Sequence, residues 1–190
     1  IYTRTMRKVI FLLMTTLVLT SDFAFSQNSI KRPDTYNYNR GVEELRNENY
    51  DDALIYFNKE IENNPKNGYA FTWIAMIRHT QEEYGRALTS VDLALKNLPK
   101  KDSEFIAVTY NIRAGVYLAL EDTIKALNDY TSAIKVCPSD ESSYEKRAQI
   151  YYEQKNYDLA DNDYKQLIKL DQGGVMGYML ARKKKKSVSN

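Results

Sequence analysis

The chain has 190 residues, 43% hydrophobic and 27% charged, the balance of an ordinary globular domain, and its 7 Gly and 4 Pro leave little material for a turn-rich β architecture. Formal net charge is +2, but residues 27–181 carry 19 Lys or Arg against 24 Asp or Glu, so the body is mildly acidic and lacks the basic footprint of a nucleic-acid binder. One cysteine, Cys137, and one histidine, His79, exclude an intramolecular disulfide, a Cys-based zinc site and a His-rich metal site.

The first segment reads as an export signal. Met6-Arg7-Lys8 precedes the apolar run Val9 to Leu19, and Ala24-x-Ser26 supplies small residues at cleavage spacing. An apolar core this short does not span a bilayer comfortably, since spanning takes about 20 residues. The expectation is a signal peptide over 1–26, cleaved after Ser26, with Met6 as initiator and a periplasmic or extracellular destination. An uncleaved signal anchor is the alternative. Residues 27–33 read as a linker.

From Asp34 onward a fixed period dominates. Tyr-x-x-Ala recurs at Tyr50–Ala53, Tyr84–Ala87 and Tyr157–Ala160, with a looser copy at Thr123–Ala126. The alanines are offset by 34, 39 and 34 residues, and the first two offsets also relate Pro65, Pro99 and Pro138. Small residues Gly41, Ala75, Ala114 and Ala148 recur midway along the first helix of each unit. Small side chains there and at Ala53, Ala87, Ala126 and Ala160 let two helices pack closely. Phe57, Val91, Tyr130 and Tyr164 then fill the next gap, and Glu60, Ala94, Ala133 and Leu167 lie one turn further. Proline closes the first three units because it cannot continue a helix.

A 34-residue period carrying these residues resembles the tetratricopeptide repeat family, a helix–turn–helix unit. The resemblance implies an all-α fold, a right-handed α-solenoid of hairpins over 34–67, 68–101, 107–140 and 141–174. Asp102 to Ile106 are five extra residues. They either lengthen the next first helix, with Asp102 or Ser103 as its cap, or form a loop excursion. Gln172-Gly173-Gly174 stands where proline would close the fourth unit. Residues 175–190 read as a partial fifth repeat or capping helix with the basic tail Arg182 to Lys186. That tail is a solvated helix end, or an acidic-phospholipid contact; no interleaved aromatics suit it to nucleic acid.

Arg40, Arg113 and Arg147 occupy equivalent first-helix positions. Asp129 and Asp163 follow the last two by sixteen residues, a spacing that reaches across the hairpin, so Arg113–Asp129 and Arg147–Asp163 ion pairs are expected. Cys137, before Pro138, reads as a packing residue. A phosphate-binding glycine loop, a Gly-x-Ser-x-Gly elbow and a His-Glu-x-x-His helix are all missing from the sequence. His79 has no sequence partner for catalysis. The expectation is a protein that is not an enzyme and needs no cofactor or metal.

In this family first helices line the concave face. The resemblance therefore places Tyr38, Val42, Tyr69, Thr72, Met76, His79, Asn111, Glu145, Gln149 and Tyr152 in a partner-binding groove, a mixture of aromatic and polar groups suited to a peptide or helix. One subfamily grips C-terminal carboxylates with Lys, Asn and Arg. The corresponding positions here hold Tyr38, Val42, Trp73, Val108 and Ile112, with Lys146 the nearest echo, so that clamp is not expected. Two functions follow: a protein-interaction module in the bacterial cell envelope, or a structural solenoid that self-associates through its C-terminal edge. The sequence does not name the partner.

Overall fold

A computed structural model describes residues 30–170. The signal segment, the first residues of the linker, the Gln172-Gly173-Gly174 stop and the whole of 175–190 lie outside the described residues. Within them the chain forms eight helices and no strand: α1 (Tyr36–Arg46), α2 (Tyr50–Asn63), α3 (Gly68–Thr80), α4 (Tyr84–Asn97), α5 (Ser103–Ala119), α6 (Thr123–Val136), α7 (Glu141–Glu153) and α8 (Tyr157–Leu170). They pair as four antiparallel hairpins, α1–α2, α3–α4, α5–α6 and α7–α8, and each second helix packs on the next first helix. The result is a right-handed α-solenoid. First helices of successive hairpins also touch, α3 with α5 and α5 with α7, whereas no two second helices pack to that extent. The first helices therefore form the inner row.

Small residues set the spacing within each hairpin. Gly41, Ala75, Ala114 and Ala148 on the first helices, and Ala53, Ala87, Ala126 and Ala160 on the second, are all buried. A Cβ on Gly41 would stand 2.7 Å from the Phe57 ring, which is itself fully enclosed. Gly68 is tighter still: a Cβ there would lie 2.6 Å from the Leu98 backbone nitrogen, so α3 starts against the end of α4 only because Gly68 lacks one. Full burial of a ring such as Phe57 contributes about 2–3 kcal/mol of hydrophobic free energy.

The turns repeat as faithfully as the helices. Glu48, Glu82, Glu121 and Lys155 each adopt a left-handed backbone, with φ of 60°, 64°, 61° and 61°. In each turn two amides fold back onto the end of the first helix. In the third hairpin the Glu121 N–H donates to Leu118 O at 3.0 Å, and the Asp122 N–H donates to Tyr117 O at 2.8 Å. This doubly bonded stop usually recruits glycine. Here a charged residue takes the position each time.

The five extra residues lengthen a helix. α5 has 17 residues, begins at Ser103 and is capped by Asp102, whose carboxylate accepts the Phe105 N–H at 3.2 Å. Thr35 and Asn67 cap α1 and α3 in the same way.

Both expected cross-hairpin ties form. Arg113 donates through Nε and Nη2 to the two oxygens of Asp129, each at 2.8 Å. Arg147 does the same to Asp163 at 2.8 and 2.7 Å. Each arginine also reaches back to the preceding second helix, Arg113 to Asp92 and Arg147 to Thr131. Each lies beside tyrosines of its own helix, Arg113 by Tyr110 and Arg147 by Tyr144 and Tyr151. In the first hairpin the sixteenth residue after Arg40 is Tyr56 rather than Asp. Arg40 sits 5.5 Å from that ring and pairs instead with Glu43 and Glu44 of its own helix.

Candidate functional site

The inner row is tied by a series of buried polar contacts between one first helix and the next. Trp73 Nε1 on α3 donates to the Tyr38 hydroxyl on α1 at 2.9 Å. The Tyr69 hydroxyl on α3 donates to Asp102 Oδ2 at 2.9 Å. Thr72 and Thr109 share a hydroxyl–hydroxyl bond of 2.9 Å between α3 and α5. Asn111 Nδ2 on α5 donates to Asp140 Oδ2 at 2.8 Å, and the Ser143 hydroxyl bonds both Asn111 and Asp140. Each bond satisfies a group that would be costly to bury alone.

These contacts correct half of the expected groove. Tyr38, Tyr69, Thr72, Met76 and Asn111 are all buried, from 0% exposed at Thr72 to 7% at Tyr38. Tyr38, Tyr69, Thr72 and Asn111 spend their polar atoms on neighbouring helices, and Met76 lies in the main core cluster. The physical reason is the closeness of successive first helices: large side chains at these positions meet one another before they meet solvent. The remaining five are accessible. Val42 and His79 are half-buried on α1 and α3, while Glu145 is exposed and Gln149 and Tyr152 half-exposed on α7. Glu145, Gln149 and Tyr152 follow one another at i, i+4 and i+7, one stripe of a helix. His79 packs its ring over Gly115 of α5 and near Tyr84, so it bridges two hairpins rather than standing in the open.

A buried aromatic cluster joins α3 to the start of α5. The Phe105 ring is met edge-on by Tyr69, with centroids 4.8 Å apart, and by Trp73 at 5.4 Å. Burial, followed by the bond to Asp102, raises the Tyr69 hydroxyl above its ordinary pKa of 10.0. Asp102, fully buried, thus accepts from Tyr69, from the Phe105 N–H and from Arg32 of the leading segment. Glu60 is a second enclosed carboxylate. It accepts from Thr35, Asn64 and Asn67, which locks the caps of α1 and α3 to the end of α2.

Sequence reasoning missed Phe105, Asp140, Ser143 and Arg32, and named Glu60 only as a recurring second-helix position, not as a carboxylate that bonds two caps. An acidic residue just before a first helix is a legible signal for Asp140, as it was for Asp102. Arg32 has no such signal, because its partners lie 70 and 72 residues away. Cys137 is buried, with its sulfur 3.4 Å from the Ser139 hydroxyl. Among the described residues no cluster of His, Cys, Asp and Glu has the arrangement of a metal site, and no helix is long and apolar enough to cross a membrane. The arrangement offers shape, ring faces and paired charges, the means of recognition.

Models of the tetratricopeptide repeat match residues 38–102 and 141–173, together more than half of the chain. The DnaJ homolog subfamily C member 7 homolog of Dictyostelium discoideum is 28% identical over 171 residues. That match takes in 84% of this chain but 30% of the relative's length. Among solved structures, MamA superposes with a TM-score of 0.63 at 17% identity, covering 79% of this chain and 81% of that one. A tetratricopeptide repeat protein from Parabacteroides merdae gives 0.65 at 21% identity, covering 80% and 59%. A complex of Naa15/Naa10 bound to HypK-THB gives 0.65 at 15% identity, covering 80% and 23%. At these identities the likeness establishes the fold alone.

Proposed function

The chain belongs to the tetratricopeptide repeat family, and on that premise we propose that it serves in the bacterial cell envelope as a scaffold that holds a partner peptide or helix along its inner row. Repeats of this family support a protein–protein interaction scaffold. The observation that carries the finer reading is the stripe Glu145, Gln149 and Tyr152 on α7, at i, i+4 and i+7 and not buried. It mixes an aromatic ring, an amide and a carboxylate, the anchors and hydrogen-bonding groups that seat a peptide. The export-signal pattern of residues 6–26 supports the envelope location.

Site-specific photocrosslinking tests this reading. A photoreactive residue at 145 or 149 in cells of the producing organism is expected to trap one discrete partner. The same residue at exposed Asp92 or Leu93 on α4 is expected to trap none. Equal trapping from both faces, or none from α7, rejects the inner-row assignment. The self-associating reading makes a different prediction for the same experiment: the trapped species would be a second copy of this chain.

A further inference from the structure

Segment 30–35 has no helix or strand of its own, yet it is anchored far from where it stands in sequence. The Arg32 guanidinium donates through Nε to Asp102 Oδ2 at 3.3 Å and through Nη2 to Glu104 Oε2 at 3.0 Å and Asp102 Oδ1 at 3.5 Å. Its carbon lies 5.1 Å from the centroid of the Phe105 ring. The cradle has a buried carboxylate on one side, an exposed carboxylate on another and an aromatic face beneath. Tyr69 and Trp73 hold that ring edge-on, and Tyr69 together with the Phe105 N–H orients Asp102. Asp102 and Phe105 are therefore held by the fold and not by Arg32, while Glu104 adds an exposed carboxylate at the rim. A planar fork with a stacking face fits this geometry; an ammonium does not use it fully.

We propose that Asp102, Glu104 and Phe105 form an arginine-binding subsite, which Arg32 fills in cis and which an arginine-bearing peptide of a partner fills in trans by displacing segment 30–35. The acidic body favours such a basic partner. The covalent tether gives Arg32 a high local concentration, so the intramolecular occupant competes with any peptide in solution. The leading segment thereby sets a threshold for an arginine-bearing peptide to enter this subsite. This inference rests on the scaffold reading and narrows its partner to one chemical class.

The test uses the heptapeptide of residues 30–36, Ile-Lys-Arg-Pro-Asp-Thr-Tyr, titrated into isotope-labelled full chain and followed by amide shifts at Asp102, Glu104 and Phe105. In Arg32→Ala the shifts are expected to saturate at a peptide concentration at least about tenfold lower than in wild type, because the tethered competitor is gone. A peptide with Ala in place of its arginine is expected to leave those amides unmoved. Arg32→Lys, which keeps a positive charge beside Asp102, supplies the same contrast if Arg32→Ala does not fold. Equal saturation in variant and wild type, or shifts that do not depend on the peptide's arginine, overturns the subsite. If the titration fails while crosslinks still form from 145 and 149, the arginine subsite alone is wrong. Failure of both experiments removes the scaffold reading as well.

Discussion

The Tyr69 hydroxyl on α3 and the Asp102 carboxylate that caps α5 meet at 2.9 Å, so the start of the third hairpin is bonded to the body of the second. Asp102 has no exposed surface and gathers donors from three stretches of chain. One residue thus couples a helix cap, an inter-repeat contact and the leading segment. Stability in a repeat array comes from such neighbour contacts as well as from each unit.

Removing the hydroxyl in Tyr69→Phe leaves that buried carboxylate one donor short, at a cost of about 1–3 kcal/mol, read as a lower urea midpoint at pH 7. The same variant changes the alkaline limb. Burial and then Asp102 hold the Tyr69 pKa above 10.0, so the unfolded chain loses this proton first. The stability linked to this group is complete below its ordinary pKa and falls as pH rises from there toward the raised value. The urea midpoint of wild type is therefore expected to fall more steeply above about pH 10 than that of Tyr69→Phe. Parallel curves would remove Tyr69 as the titrating group.

Arg147 and Asp163 form a two-bond pair whose side chains are 15% and 7% exposed. Taking away one partner strands the other in a poorly solvated place. Arg147→Ala and Asp163→Ala are each expected to destabilise more than half as much as the double variant, with a coupling of about 1–3 kcal/mol in a double-mutant cycle. Additive losses would mean that the pair is merely adjacent.

Two glycines give opposite signs for one substitution. In Gly68→Ala the new methyl meets backbone atoms of Leu98 and Asn97 at 2.6 and 2.9 Å, which cannot swing aside. A loss of about 1–3 kcal/mol or more is expected from overpacking. A Cβ on Gly85 of α4 would meet no atom within 4 Å beyond its chain neighbours and its own helix backbone. Gly85→Ala is expected to gain up to about 1 kcal/mol from helix propensity. Thermal melts of the two variants, compared with wild type, should move in opposite directions.

Glu121 holds a left-handed backbone at φ 61° and is exposed. Glu121→Gly relieves a conformational cost of roughly 1 kcal/mol, while Glu121→Ala relieves none. The glycine variant is expected to melt higher than the alanine variant; the reverse order would show that glycine's larger chain entropy in the unfolded state outweighs the backbone strain in that turn.

The repeat is legible in the chain alone. Helix faces, the small residues between them and the Arg113–Asp129 and Arg147–Asp163 ties are periodic, and a period of 34 residues is written locally in the chain. Helix caps are local too, which is why Asp102 could be read as one. Tertiary structure alone decided what becomes of the inner row. Tyr38, Tyr69, Thr72 and Asn111 look like groove residues in a single repeat, because burial there depends on how near the next first helix comes. That distance is a sum over several hairpins and belongs to no one of them. The Arg32 cradle lies further still beyond sequence reading: an arginine and a capping aspartate 70 residues apart meet only after the intervening hairpins have folded and brought α5 against the leading segment.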